Sequence, residues 1–190
     1  MAGSARGVRL APVPAGVRPL SDRAREGLFS SLGPAVAEAA VLDLYAGTGA
    51  TGIEALSRGA RSCTFVERAP AALAALRSNL ERARVAERAT VVRADVARFL
   101  RTVGGSTFDL ILCDPPYDLP QAAVEADLGL LAGGWLPPGD WTIVLTRRAK
   151  SSTVVIPIDW RVARELRYGE SHLRLIGPSV GPGRPRREEP

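Results

Sequence analysis

Between residues 41 and 145, short apolar runs alternate with stretches of helical periodicity, and this alternation constrains the fold more than any other feature. Runs with strand character lie at 41–44, 62–66, 90–93, 108–113 and 141–145. The intervals carry helical stripes: Leu73, Leu76 and Leu80 within 69–84, and Val124, Leu128 and Leu131 within 119–131. Strand and helix in turn predict βαβ units, hence a mainly parallel sheet covered on both faces, with ligands bound at the carboxyl ends of its strands. Near the end the order changes. Residues 160–167 and 172–176 flank Tyr168-Gly169-Glu170-Ser171, which reads as an antiparallel hairpin closing one sheet edge.

Ahead of the first strand a helix is expected, N-capped by Ser21 or Asp22, with Leu28, Phe29 and Leu32 on one stripe and Gly33-Pro34 at its end. Arg23 and Arg25 sit in its first turn, where the helix dipole disfavours cations. Such a placement invites a functional role, although a nearby acid such as Glu26 would also satisfy it. Residues 1–20, rich in Pro, Gly and Arg, are expected to form an irregular basic arm, 21–176 a single α/β domain, and 177–190, with four prolines, a disordered tail.

A chain of 190 residues is long enough for one domain, able to bury about 70% of the surface its unfolded form exposes. No apolar run approaches the roughly 20 residues that span a bilayer, and the amino-terminal segment lacks an apolar core for secretion. A soluble, cytoplasmic monomer is expected. Cys63 and Cys113 each fall in an apparent buried strand without a histidine cluster, so neither a disulfide nor a metal site is expected. The lone His172 and the tryptophans Trp135, Trp141 and Trp160 are read as packing or surface residues. The net charge of +5 is unevenly spread: residues 1–25 and 147–174 each sum to +4, while 26–146 sum to −4. A polyanion would therefore meet the termini, provided they share a face; the alternative is a solvated arginine surface.

The first constellation with chemical content is the run Asp43-Leu44-Tyr45-Ala46-Gly47-Thr48-Gly49-Ala50-Thr51-Gly52, which follows a strand and opens a helix. Gly47, Gly49 and Gly52 make a complete GxGxxG, whose glycines allow a tight turn and let a ligand approach the backbone and the helix N-terminus. Glu67, at the end of the second strand, is placed to accept hydrogen bonds from ribose hydroxyls. This much suits an adenosine-containing ligand, NAD included. Asp43 favours another: an acid beside the loop is unwelcome to a pyrophosphate but suits the cationic amino group of S-adenosylmethionine. Asp43 and Glu67 could alternatively cap backbone N–H groups of the turns that follow them. Asp95, after the third strand, could accept from an adenine amine with Val96 against the ring, or N-cap the next helix.

The second constellation, Asp114-Pro115-Pro116-Tyr117, ends the fourth strand. Two prolines stiffen the turn and remove backbone donors, leaving the Asp114 carboxylate and the Pro115 carbonyl as converging acceptors for the two hydrogens of an amine. An aromatic amine is a poor nucleophile because its lone pair is delocalised. Holding both hydrogens out of the ring plane directs that lone pair at an electrophile such as a sulfonium methyl, and Tyr117 would stack on the base.

With these residues in place the chain resembles the RsmD-type methyltransferases, which methylate the N2 amine of a guanine in bacterial 16S ribosomal RNA. The similarity runs over nearly the whole chain. It includes 18–26, Arg-Pro-Leu-Ser-Asp-Arg-Ala-Arg-Glu, which resembles the family's RPTTDRVRE, and 52–59, which resembles its GLEALSRG. The resemblance implies a Rossmann-like class I S-adenosylmethionine-dependent methyltransferase fold, a mainly parallel seven-stranded sheet with a C-terminal antiparallel hairpin. It implies cofactor contacts at Asp43, Gly47, Gly49, Glu67 and Asp95, with Tyr45, Ala46, Gly52, Arg68 and Val96 beside them. It implies a target-base site at Asp114, Pro115, Pro116 and Tyr117, RNA contacts at Arg18, Asp22, Arg23 and Arg25, and 16S rRNA or the small ribosomal subunit as partner. The chain departs from the family in lacking an initial Arg-Ile-Ile-Gly-Gly strand and in having Leu20-Ser21 for a Thr-Thr pair. Three other readings compete: a DNA or RNA amino-methyltransferase acting on adenine N6 or cytosine N4, which would use the same grip on a flipped base, an NAD-dependent dehydrogenase, and a non-catalytic RNA-binding protein.

Overall fold

The computed structural model describes residues 3–11, 20–102, 106–151 and 153–179. Its strands are β1 (Ala40–Leu44), β2 (Ser62–Glu67), β3 (Ala89–Arg93), β4 (Leu110–Cys113), β5 (Thr142–Arg148), β6 (Trp160–Tyr168) and β7 (Ser171–Pro178). Its helices are α1 (Asp22–Leu32), α2 (Ala50–Ser57), α3 (Pro70–Arg82), α4 (Val96–Leu100) and α5 (Gln121–Ala132). One seven-stranded sheet runs in the order β3-β2-β1-β4-β5-β7-β6. The first five strands are parallel to one another, while β7 is antiparallel to both β5 and β6.

Burial follows position in the sheet. All five residues of β1 and all four of β4 are buried, as expected of central parallel strands covered on both faces. Val41, Ile53, Leu56, Phe65, Leu73 and Leu76 belong to a core on one side, shared with Leu28, Phe29 and Leu32 of α1. Leu42, Leu44, Ile111, Leu128, Leu131 and Trp135 belong to the core on the other. Each such fully buried leucine, isoleucine or phenylalanine contributes about 1.5–3 kcal/mol. Edge strand β6 is mostly exposed, with Arg161 and Arg164 pointing out of the core, which discourages pairing with a further strand.

Ser21 is the N-cap of α1, its hydroxyl accepting from the Ala24 N–H at 3.2 Å. The arm is anchored rather than loose where it is described: Ala5 is buried, its N–H donates to Ser57 Oγ at 2.7 Å, and the Ala11 N–H donates to Asn79 Oδ1 at 2.6 Å. The tail begins later than expected, since β7 continues through Gly177 to Pro178; residues 180–190 lie outside the described residues. Among the described residues no helix is long and apolar enough to cross a membrane.

The strand order reverses between β1 and β4, the position at which an open α/β sheet forms a crevice at its carboxyl end. Leu44 pairs with both Val66 and Cys113, so Asp43, Glu67 and Asp114 come to one end of three adjacent strands. Asp95 follows β3 at that same end. Four parallel strands thus each deliver a carboxylate to the crevice, and β5 delivers Arg147 and Arg148.

Candidate active site

Two cavities meet at this end of the sheet. The larger, of about 870 Å³, is lined by the loop residues Tyr45, Ala46, Gly47 and Thr48, by Asp43, Glu67, Arg68, Asp95 and Val96, and by the run from Asp114 to Leu119. The smaller, of about 440 Å³, is lined by Leu20, Ser21 and Arg23 at the start of α1, by Asp114 and Tyr117, and by Arg167 to Ser171 at the hairpin tip. Asp114, Tyr117 and Leu20 border both. A group held by Asp114 from the smaller cavity therefore faces whatever fills the larger.

The glycine loop has the backbone that its sequence demands. Gly47 and Gly49 adopt φ of 55° and 78°, the left-handed region. Gly52 serves packing instead: a Cβ there would fall on Phe65 and lie 2.7 Å from Asp43 Oδ2. Tyr45 also has positive φ, 58°, and its hydroxyl donates to Asp127 Oδ2 at 2.5 Å, fixing the loop from below. Asp127 is buried on α5 and has no local sequence signal, so it escaped the sequence reading.

Each of the three acids caps backbone N–H groups and also lines the larger cavity. Asp43 lines the larger cavity, and its Oδ2 accepts from the Gly52 N–H at 3.0 Å. Desolvation pushes its carboxyl well above the usual range, against the Gly52 hydrogen bond, with Asp114 and Glu67 adding repulsion. Glu67 Oε2 accepts from the Gly47 N–H at 2.8 Å, while Oε1 accepts from Arg68 N at 2.7 Å and Ala69 N at 2.8 Å. Asp95 N-caps α4 through the Arg98 N–H at 3.2 Å and pairs with Arg68 at 3.4 Å.

The larger cavity carries six carboxylates and three arginines. Such a lining repels a pyrophosphate and favours a cation. Asp43 spends one oxygen on Gly52, which leaves the other for an ammonium group. This donor set fits S-adenosylmethionine, with its ammonium and sulfonium, better than NAD.

At the junction, burial pushes the Asp114 carboxyl from 3.8 up to about 7, against the opposing charge of Arg147. Arg147 is buried and donates from Nη1 to the Pro116 carbonyl at 3.3 Å and from Nη2 to the Leu119 carbonyl at 3.1 Å. The Pro116 carbonyl is thereby occupied, while Asp114 and Pro115 line the larger cavity. Tyr117 hydrogen-bonds Ser171 Oγ at 3.2 Å, and the Arg148 guanidinium lies 5.4 Å from its ring centroid. Arg147 was legible in principle, because it shares strand parity with the core residues Ile143 and Leu145.

The residues expected to contact RNA separate. Arg23 is exposed and lines the smaller cavity. Arg25 instead is buried, pairing with Asp22 at 2.7 Å and with Glu54 at 3.8 Å, and so ties α1 to α2. Its awkward place in the first turn has this structural reason; Glu26 is not the partner. Asp22 is exposed beside it. Arg18 lies outside the described residues. His172, the one histidine, is buried on β7 with Nε2 3.3 Å from Glu165.

Gly27 couples α1 to the hairpin. A Cβ there would fall on the Tyr168 hydroxyl, so the glycine lets the ring lie against the helix. Gly27→Ala is expected to displace Tyr168 and lower acceptor-side kcat/KM roughly 10- to 100-fold through misplacement of the cavity wall. Affinity for S-adenosylhomocysteine, measured by calorimetry, should not change.

A family model described as conserved hypothetical protein 95 matches residues 1–177. Ribosomal RNA small subunit methyltransferase D of Escherichia coli strain K12 is 35% identical over 176 residues, spanning 91% of this chain and 86% of that protein. The solved structure of yhhF from Escherichia coli superposes with a TM-score of 0.83 at 34% identity, covering 95% of this chain and 97% of that one. The structure of SMU.776 complexed with SAH shares the fold at a TM-score of 0.66 and 17% identity, covering 84% of this chain and 50% of that one.

Proposed function

The chain belongs to the family of conserved hypothetical protein 95 and ribosomal RNA small subunit methyltransferase D, and from that premise we propose that it transfers a methyl group from S-adenosylmethionine to the N2 amine of a guanine in 16S ribosomal RNA. The observation that carries the reading is the position of Asp114, which borders the acid-lined cavity and the smaller one at once.

When bound, S-adenosylmethionine supplies an electrophilic methyl group on a sulfonium. Asp43 holds the ammonium end, and the glycine loop with Glu67 holds the ribose. From the other side Asp114 and the Pro115 carbonyl accept the two amine hydrogens, turning the nitrogen lone pair toward the methyl. Tyr117 stacks on the base, worth about 1–3 kcal/mol, and so sets the attack distance. As the nitrogen–carbon bond forms and the carbon–sulfur bond breaks, the amine becomes cationic and acidic. Asp114 or water takes its proton, without a separately tuned base. The choice of guanine rests on the family likeness, since the same corner suits any exocyclic amine.

The phosphates flanking the target fit Arg23 and Arg167 at the mouth of the smaller cavity. Arg25, spent on Glu54, is not among them. In the Arg23→Gln/Arg167→Gln double variant, the slope of log K against log salt for RNA binding should flatten by about 1.4, some 0.7 per phosphate contact on a single strand. An unchanged slope would remove both residues from the interface.

The deciding experiment supplies labelled S-adenosylmethionine and small-subunit particles lacking the modification, with naked 16S rRNA in parallel, followed by nuclease mapping. Label in N2-methylguanosine at one position is the expected result. Label on adenine N6, on cytosine N4 or on protein, or tight NAD binding without transfer, would overturn the reading.

A further inference from the structure

We propose that Arg147 is a positioning residue for the base-gripping corner: from β5 it ties down the Pro116 and Leu119 carbonyls and provides the counter-cation to the Asp114 carboxylate. The inference rests on the reading that Asp114 grips the acceptor amine, and it adds a residue outside the Asp-Pro-Pro-Tyr run.

Arg147 and Arg148 are consecutive on a strand, so their side chains leave on opposite faces. Arg148 lies against the Tyr117 ring while Arg147 reaches the carbonyls that follow Pro115, and the loop is clasped from both sides. The two carbonyls need only donors, which a neutral side chain could supply. A buried guanidinium costs several kcal/mol in lost hydration, a cost that calls for an anion. Arg147 holds the Pro116 carbonyl, two residues from Asp114, so its charge acts on that carboxylate across the turn, at longer range than a contact ion pair. The guanidinium fork also matches two carbonyl oxygens in one plane, which a lysine cannot. Nε of Arg147 is buried and has no hydrogen-bond partner among the described residues, so the side chain is held by its two terminal nitrogens alone.

Other charged groups face this pair. Asp43 on β1 repels Asp114, and the Cys113 thiol beside it is kept neutral by burial. His172 on β7 stands opposite Arg147, with Arg167 opposite His172 on β6; Glu165 pairs with Arg174 at 3.2 Å and lies 3.3 Å from His172 Nε2, which makes no hydrogen bond among the described residues. Glu165 is thus taken up by Arg174, and Asp114 is the acid at the turn that Arg147 holds.

The test separates charge from fork. Arg147→Gln keeps donors and loses charge; Arg147→Lys keeps charge and loses the fork. The Asp114 carboxyl is followed by ¹³C NMR in cofactor-free protein, with thermal melts confirming that each variant folds. In Arg147→Gln the titration should move alkaline by about one unit or more, with the acid limb of kcat/KM following it and activity partly returning at high pH. In Arg147→Lys the titration should stay within about 0.5 unit of wild type while kcat falls roughly tenfold from loss of loop placement. An unmoved titration in Arg147→Gln would overturn the counter-cation role, and wild-type kcat in Arg147→Lys would overturn the tie. Should Arg147→Gln fail to fold, Arg147→Met, which also removes the charge at similar length, takes its place in the titration. Failure of the wild type to methylate rRNA would count against the proposed function alone, because the titration needs no acceptor.

Discussion

Replacing Asp114 by asparagine is expected to lower kcat by about 100- to 1000-fold, the loss typical of removing one preorganised partner of a transition state. The amide offers one acceptor and turns an NH₂ donor toward an amine that itself donates, so the lone pair is no longer directed. Affinity for S-adenosylhomocysteine, which lacks the sulfonium charge, should be preserved in calorimetry. Asp114 also implies a stability change of fixed sign. Its carboxyl titrates near 3.8 unfolded and at about 7 folded. The folded state therefore binds more protons between those values, and stability is lost as pH rises through that window. Asparagine removes this burden. The melting temperature of Asp114→Asn should exceed that of wild type at pH 8, with the gap closing as pH falls toward 4, and relief of the repulsion on Asp43 acts in the same direction. A variant that is inactive and less stable at pH 8 would mean that the carboxylate is a structural element.

The second large effect concerns Asp43. Asp43→Asn keeps an oxygen for the Gly52 N–H, so the glycine loop stays capped while the charge is lost. Binding of S-adenosylhomocysteine should weaken by about 10- to 150-fold, corresponding to roughly 1.5–3 kcal/mol for a hydrogen bond to a charged group. Methylthioadenosine has the same nucleoside and no amino-acid moiety, and its affinity should change little. Equal weakening of the two ligands would assign Asp43 to shaping the loop rather than to holding an ammonium group.

The periodic parts of this chain were readable because period follows directly from covered faces. The helix beginning at Ser21, the glycine loop and the hairpin at Tyr168 are where the spacing put them, within a residue or two. The acids at the strand ends were readable for the same reason: a strand of known length fixes which residue leaves it first. Contacts that depend on strand order were not. Nothing local to Arg25 names Glu54 as its partner, and nothing near Tyr45 names Asp127. The hairpin was visible as a hairpin, but its tip reaches the smaller cavity only because β7 inserts between β5 and β6. Strand parity puts Arg147 on the side of Ile143 and Leu145, but the loop that it clasps depends on strand order.

The smaller cavity is walled by α1 from near the start of the chain and by a hairpin from near its end, whereas the larger is built mostly from the parallel strands between them. Contacts between such distant segments close late, because the entropy of joining long loops must be met first. While the protein is being synthesised, the first four parallel strands leave the ribosome before the hairpin does. Most residues of the larger cavity are thus synthesised before the hairpin that completes the smaller one.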